Sequence, residues 1–266
     1  KTTPTSIEFI QGIRSPIRLG NDVFIEGNLS TSKLDQVIET IREYEKVFKE
    51  NSISHYEIVA TSAFRDTSNS EDARRYIETA INHPLRVISG LEEAKLIRLH
   101  PNSNTGKNKV FVDLGGGSTE FFIRNEEDTI IRSFQLGAVR NMLKRDEKEE
   151  WQRLEEWLQS IKSKKKLIGI GGNIRSFLNS QGSKEMPLNE FIKKSERLSK
   201  LDTEEKIKKY KFSPDRADVI DQALQIFKFI AEQLEIQTIT STKWGISDSI
   251  AIKLFHEIYS SKVTIS

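Results

Sequence analysis

The apolar residues Leu34, Val37, Ile38, Ile41, Tyr44, Val47 and Phe48 recur at three- and four-residue spacing, predicting an amphipathic helix with Ser30 or Ser32 as its N-cap. The period then changes. Residues 56–60 predict a short strand, 70–82 a helix, 85–89 a β-branched buried strand and 91–99 a helix. A second series follows, with a strand at 109–112, paired strands at 120–124 and 129–134, and helices at 138–144 and 149–161. A strand at 167–170 and a helix after Asn173 come next. Then come a long helix over 214–234 with Pro214 in its first turn, a strand at 238–241 and a final helix at 246–259. Alternating strands and helices predict an α/β protein whose ligands sit at the carboxyl ends of strands. The polar, turn-rich stretch 101–108 predicts a boundary between a first domain, 1–104, and a second, 105–266, with the final helix packing back on the first.

Chemistry concentrates where strands meet glycine. In Val112-Asp113-Leu114-Gly115-Gly116-Gly117-Ser118-Thr119-Glu120 the glycines allow a sharp turn that brings N–H groups against an anion. The alternative is a glycine-rich hairpin with solvated acids. Asp113, at the end of an apolar strand, is placed to hold a divalent metal directly or through water. Glu120 either helps bind that metal or is an outward-facing strand residue. Gly171, Gly172 and Asn173 form a second glycine turn, at a helix entry suited to an anion. Arg175 either reaches phosphate or caps a sheet edge.

Glu92 and Glu93 follow the Ser89-Gly90 turn and are the candidate bases. Helical geometry separates them by about 100°, and Glu92 reads as a first-turn acid favoured by the helix dipole. Arg65, after a Thr-Ser-Ala turn, either grips phosphate oxygens or pairs with Asp66. The histidines, His55, His83, His100 and His256, lack metal-ligand spacing. Lys164, Lys165 and Lys166, preceded by Lys162, read as a solvated strand entrance, or else as a polyanion-recruiting run.

Composition narrows the class. Lysine plus arginine (41) balance aspartate plus glutamate (39) within a net charge of +2, which argues against a nucleic-acid binder working by bulk charge. The absence of cysteine excludes disulfides and Cys-type zinc sites. No apolar run approaches the roughly 18 residues of a membrane span. The expectation is a cytoplasmic protein that engages neither membrane nor nucleic acid.

The glycine block resembles the second phosphate loop of the exopolyphosphatase / guanosine pentaphosphate phosphohydrolase family, a branch of the acetate kinase, sugar kinase and actin superfamily. Other blocks stand in the family's order: Ala60-Thr61-Ser62-Ala63-Phe64-Arg65-Asp66 with Asn69, then Val87-Ile88-Ser89-Gly90-Leu91-Glu92-Glu93-Ala94. Gly137-Ala138-Val139-Arg140, Gly169-Ile170-Gly171-Gly172-Asn173-Ile174-Arg175 and Ser213-Pro214-Asp215-Arg216-Ala217-Asp218 follow, so the resemblance spans roughly residues 14 to 258. It implies two ribonuclease H-like lobes of the actin-like ATPase fold flanking a phosphate-binding cleft. It also implies a phosphohydrolase that removes terminal phosphate from inorganic polyphosphate, guanosine pentaphosphate or both, with Mg2+ or Mn2+ and a homodimer as the family expectation. Carried over by position, the catalytic residue is Glu93. The phosphate contacts are Arg65, Asn69, Gly115, Gly116, Gly117, Ser118, Gly171, Gly172 and Asn173, and the metal ligands are Asp113 and Glu120. A phosphotransferase using polyphosphate or a nucleotide, and a weakly catalytic regulator that binds polyphosphate or guanosine tetraphosphate, remain open beside it.

Two departures stand out. Trp244-Gly245-Ile246-Ser247-Asp248 replaces the family's Arg-Glu after a glycine near the carboxyl end. The family's first phosphate loop, of Asp-Ile-Gly-Ser-Asn-Ser type, is not among these residues. Segments 5–10 and 16–20 read as the second and third strands of that lobe, with Arg18-Leu19-Gly20 resembling the block that follows the loop. The expectation is a further stretch of chain before Lys1.

Overall fold

In the computed structural model, which describes residues 9, 11–100, 103, 108–124, 128–161 and 163–260, two compact units divide the chain before Gly90 and again before Ile246. The first contains α1 (Leu19–Glu26), α2 (Thr31–Glu50), β1 (Ile58–Ala60), α3 (Ser62–Asp66), α4 (Ser70–Ile81) and β2 (Leu85–Val87). Ser30 is the cap of α2, its side chain accepting from the Lys33 N–H. Leu34 and Ile38 turn inward, and α2 packs on α4, whose Ala73 and Ile77 are buried. β1 and β2 are parallel, with Ile58 beside Leu85. The strand expected at 16–20 is replaced. Arg18 takes a left-handed φ of 58°, and Leu19 opens α1, which buries Val23 and Phe24 and stops at Gly27. The strand expected at 5–10, residue 9 apart, lies outside the described residues, as does most of the stretch at 101–108.

The second unit begins with α5 (Gly90–Leu96), extended by a 3-10 turn over Ile97–Leu99. β3 (Lys109–Leu114), β4 (Thr119–Arg124), β5 (Thr129–Phe134), α6 (Ala138–Met142), α7 (Lys148–Gln159), β6 (Lys166–Ile170) and α8 (Gly172–Ser180) follow. Then come β7 (Glu185–Pro187), α9 (Leu188–Ser199), α10 (Thr203–Tyr210), α11 (Pro214–Ala217), α12 (Ile220–Gln233) and β8 (Thr238–Ser241). α13 (Ile246–Ser260) groups with the first unit. The division falls at Ser89 rather than near residue 104, because α5 packs on β4 and β5. The helix expected over 214–234 is two helices. Val219 bonds back to Arg216 in a tighter turn, which lets both Val219 and Ile220 reach the core. Lys164 is buried rather than solvated, and its N–H donates to the Leu234 carbonyl.

The sheet of this unit runs β5-β4-β3-β6-β8-β7. β3, β4 and β5 form an antiparallel meander, β6 and β8 continue it in parallel with β3, and β7 closes the edge antiparallel to β8. Val110, Val112 and Leu114 of β3 enter a core with Phe121, Leu154, Leu158, Phe177, Phe191 and Phe227. A strand alternates its faces, so Lys109, Phe111 and Asp113 project from the other side of the sheet. Register then sets Asp113 opposite Glu120, Glu120 opposite Ser133, and Asp113 beside Ile170. The carboxyl ends of β3 and β6, with their two glycine turns, are therefore neighbours.

Behind this frame, Lys206 of α10 is buried and ion-paired with Asp221 of α12. Breaking such a pair from one side leaves a buried charge uncompensated, at a cost of about 3–5 kcal/mol. Asp221→Ala is expected to lower urea-unfolding stability by about that amount, with Lys206→Met/Asp221→Leu recovering most of it.

Candidate active site

Three carboxyl groups converge at the carboxyl end of β3. Asp113 and Glu120 are register partners on one sheet face, and Glu93 comes from α5, which lies across β4 and β5. The contact is close because Gly90 has no side chain: a Cβ there would sit 2.1 Å from Ser133 Oγ and 3.4 Å from Glu120 Oε1. Glycine therefore lets the first turn of α5 rest on the strand and brings Glu93, buried like Glu120, into the cluster. Glu92 lies one residue away and is less buried.

The electrostatics follow from this crowding. Burial first, and the Glu93 charge second, push the Asp113 carboxyl from 3.8 to about 7. Burial, then Glu93 and Asp113, raise Glu120 well above the ordinary glutamate range, while hydrogen bonds from Ser118 and Ser133 pull the other way. The Ser133 bond to Glu120 Oε1 measures 2.9 Å. Such a set favours either protons or a cation. Among the described residues no three His, Asp or Glu side chains close into a metal cage. The donors suit a hard divalent ion that completes its shell with water and phosphate oxygens, as magnesium does.

The glycine turn beside them is held by its acceptors. Gly115 N–H donates to Ser118 O, while the Gly115 carbonyl accepts from Ala138 N–H and the Gly116 carbonyl accepts from Val139 and Arg140 N–H. Arg140 Nε also donates to Gly117 O, at 2.9 Å. Among the described residues the N–H groups of Gly116 and Gly117 donate to no protein oxygen, which leaves them for an anion. Ser118, expected on phosphate, has its hydroxyl on Glu120.

The second turn is similar. Gly171 sits at φ 96°, where a side chain would be strained, and an added Cβ would come 3.3 Å from Asp113 Oδ1. It opens α8, which has no side-chain cap and no acid in its first turn, the arrangement that favours an anion at a helix entry. Asn173 is buried and accepts from Arg216 Nη1, and the Arg216 guanidinium lies over Gly172. Arg216 and Arg140 were not among the site residues expected from sequence. Their blocks were recognisable, but only the fold brings α6 and α11 to the glycine turns. Arg175 donates to the Thr242 and Lys243 carbonyls, at 3.4 and 3.3 Å.

Arg65 and Asn69 belong to the first unit. There Arg65 Nη1 donates to Ile88 O at 2.8 Å. Asn69 clasps Leu29, accepting from its N–H and donating to its carbonyl, both at 2.9 Å, so its amide fastens the entry of α2 to that of α4.

A model of the Ppx/GppA phosphatase family matches residues 1–257. The chain is 23% identical over 276 residues to a guanosine-5'-triphosphate,3'-diphosphate pyrophosphatase of Vibrio vulnificus, covering 95% of this chain and 55% of that protein. It thus spans about half the length of that curated relative. Among solved structures, an exopolyphosphatase from Cytophaga hutchinsonii superposes with a TM-score of 0.79 at 19% identity, over 91% of this chain and 88% of that one. The Aquifex aeolicus member of the Ppx/GppA family gives 0.72 at 22% identity, over 91% and 88%. At these identities the structural likeness speaks for the fold.

The raised Asp113 value fixes the sign of a stability effect. A carboxyl whose folded-state value is elevated favours the folded state while protonated, so its contribution is full below 3.8 and is lost as pH climbs through about 7. Asp113→Asn removes that loss. In metal-free buffer its melting temperature should match the wild type near pH 4, and exceed it by a margin that grows to about pH 8 and then levels. Differential scanning calorimetry across that range is the measurement.

Proposed function

The chain belongs to the Ppx/GppA phosphatase family, and from that premise we propose that it hydrolyses a terminal phosphoanhydride bond of inorganic polyphosphate or guanosine pentaphosphate. The observation that carries this reading is the meeting of Glu93, Asp113 and Glu120 beside a glycine turn whose Gly116 and Gly117 donors are uncommitted. Phosphoryl transfer asks little covalent chemistry of a protein; it asks for charge neutralisation, a positioned water and an acceptor for the water's proton.

The Gly116 and Gly117 N–H groups and the entry of α8 hold the oxygens of the terminal phosphate. Arg140 and Arg216 brace those turns through Gly117 O and Asn173. Asp113 and Glu120 would hold a magnesium ion, which when bound would neutralise phosphate charge. Glu93 orients water and takes its proton as the water oxygen bonds to the terminal phosphorus. The bridging P–O bond breaks, and its electron pair leaves with the shortened chain or nucleotide.

Phosphate release from long-chain polyphosphate and from guanosine pentaphosphate, compared side by side with magnesium and no acceptor, tests the reaction class. Release without an acceptor is expected, and a strict requirement for one would turn the reading to a phosphotransferase. Glu93→Gln should keep the fold and substrate affinity while lowering kcat by about 10²–10⁴-fold, the usual worth of a positioned base. A kcat within about threefold of wild type, well short of that range, removes Glu93 from the chemistry.

A further inference from the structure

One side-chain pair closes the outer edge of the sheet in the second unit. β5 is the last strand on its side, and among the described residues no strand pairs with its outer edge. Glu150 and Arg153, about one turn apart on α7, take the place of one. Glu150 Oε1 accepts from the Gln135 N–H at 2.6 Å, and Arg153 Nη2 donates to the Ser133 carbonyl at 3.0 Å. The two side chains also bond each other through both carboxylate oxygens, at 2.7 and 2.5 Å. Between the two backbone contacts lies Phe134, buried, with the Arg153 guanidinium 4.4 Å from its ring centroid. Burial raises the Glu150 carboxyl, but hydrogen bonds from Arg153 and the Gln135 N–H, with the charges of Arg153 and Arg140, outweigh it and hold the group below the ordinary glutamate value. A helix-surface ion pair ordinarily contributes little. This one differs because both partners fasten the same three residues of another element.

Those three residues support the candidate site from behind. Ser133 donates its hydroxyl to Glu120 Oε1, and Gly90 lies so close to Ser133 that α5, which carries Glu93, rests on this point of the strand. Beyond Gln135, the Leu136 carbonyl accepts from Thr119 Oγ1. Gly137 then lies against the first glycine turn, where an added Cβ would be 2.5 Å from Gly117 N and 2.6 Å from Gly116 O. The start of α6 bonds the Gly115 and Gly116 carbonyls directly afterwards. We infer that Glu150 is a positioning residue for the proposed hydrolysis: with Arg153 it fixes residues 133–135, and through them the Glu120 carboxylate and the Gly116-Gly117 turn. It acts through Ser133 and Gly137, not on the phosphate itself. Little slack is tolerable there, since a displacement of about 1 Å can cost on the order of 10²-fold in rate.

Turnover, which rests on the proposed hydrolysis, and amide hydrogen exchange, which does not, test this together in the intact chain. In Glu150→Ala, kcat for phosphate release from polyphosphate with magnesium should fall about 10–100-fold, and the loss should lie in kcat rather than KM because the site's groups are misaligned rather than removed. Glu150→Gln, which keeps an acceptor for the Gln135 N–H, should recover most of the rate. Glu190→Ala, which breaks the surface ion pair with Lys194 on α9, should leave kcat unchanged. Exchange read by mass spectrometry should quicken in Glu150→Ala over residues 133–141, where the Val139 and Arg140 N–H groups bond the Gly116 carbonyl, and keep its wild-type rate in β6 and α12. Arg153→Met, which keeps the aliphatic stem over Phe134, should show the same local quickening even where Glu150→Ala does not fold. If the wild type releases no phosphate from either substrate, the hydrolysis reading fails and exchange alone decides the role of the pair. An unchanged kcat, a loss shared equally by Glu150→Gln or Glu190→Ala, or exchange that is unchanged or rises evenly through the second unit overturns the inference.

Discussion

Three carboxyl groups that repel one another are kept together by the packing of one helix on one sheet. Glu93, Asp113 and Glu120 are each costly to bury as anions, and their proximity multiplies the cost. The fold tolerates this because the rest of the second unit is well packed. Phe121, Phe134, Phe177, Phe191 and Phe227 fill the opposite side of the same sheet, and β3 is flanked by a strand on each side. Gly90 allows α5 to approach, and Ser118 and Ser133 supply the few hydrogen bonds that partly relieve Glu120. The energetic tension is located where a cation and a substrate would release it.

In the proposed reaction the two glycine turns extend the same logic to the phosphates. They leave adjacent strands at their carboxyl ends because β3 and β6 are parallel neighbours, Asp113 beside Ile170. Carbonyls of the first turn are fixed by the start of α6, and those bonds orient the turn without consuming its Gly116 and Gly117 donors. The second turn offers an uncapped helix entry braced by Arg216. Preorganised donors of this kind cost no reorganisation when charge develops on the substrate, which makes them effective in catalysis.

Much of this was legible in the chain because it is local. The apolar stretch 109–112 marked β3, and the triple glycine marked its exit. The Ser89-Gly90 turn marked the entry of α5, and Ser30 was one of two serines that marked the cap of α2. The parts that were not legible depend on contacts distant in sequence. Nothing in Glu120 itself announces that Ser133 and α5 bury it, and Asn69, read as a phosphate contact, gives no sign in sequence that its amide holds Leu29. Arg140 and Arg216 gain meaning only when α6 and α11 reach the glycine turns. α1 was missed although Gly27 stood as its stop signal, because Pro16 to Gly20 was read as a strand. The break at Asp218 and Val219 hides inside a run that is continuously helical in pattern.

If the crowded carboxyls form a metal and phosphate site, a divalent ion must displace protons from them. Titration calorimetry of magnesium into the protein with imidodiphosphate present, at about pH 6 and in buffers of different ionisation enthalpy, measures that release directly. The wild type should liberate more protons per ion than Asp113→Asn does, and bind the ion more tightly as pH rises through about 7. Equal proton release from both proteins, with a metal affinity indifferent to pH over that interval, would contradict a metal and phosphate site there.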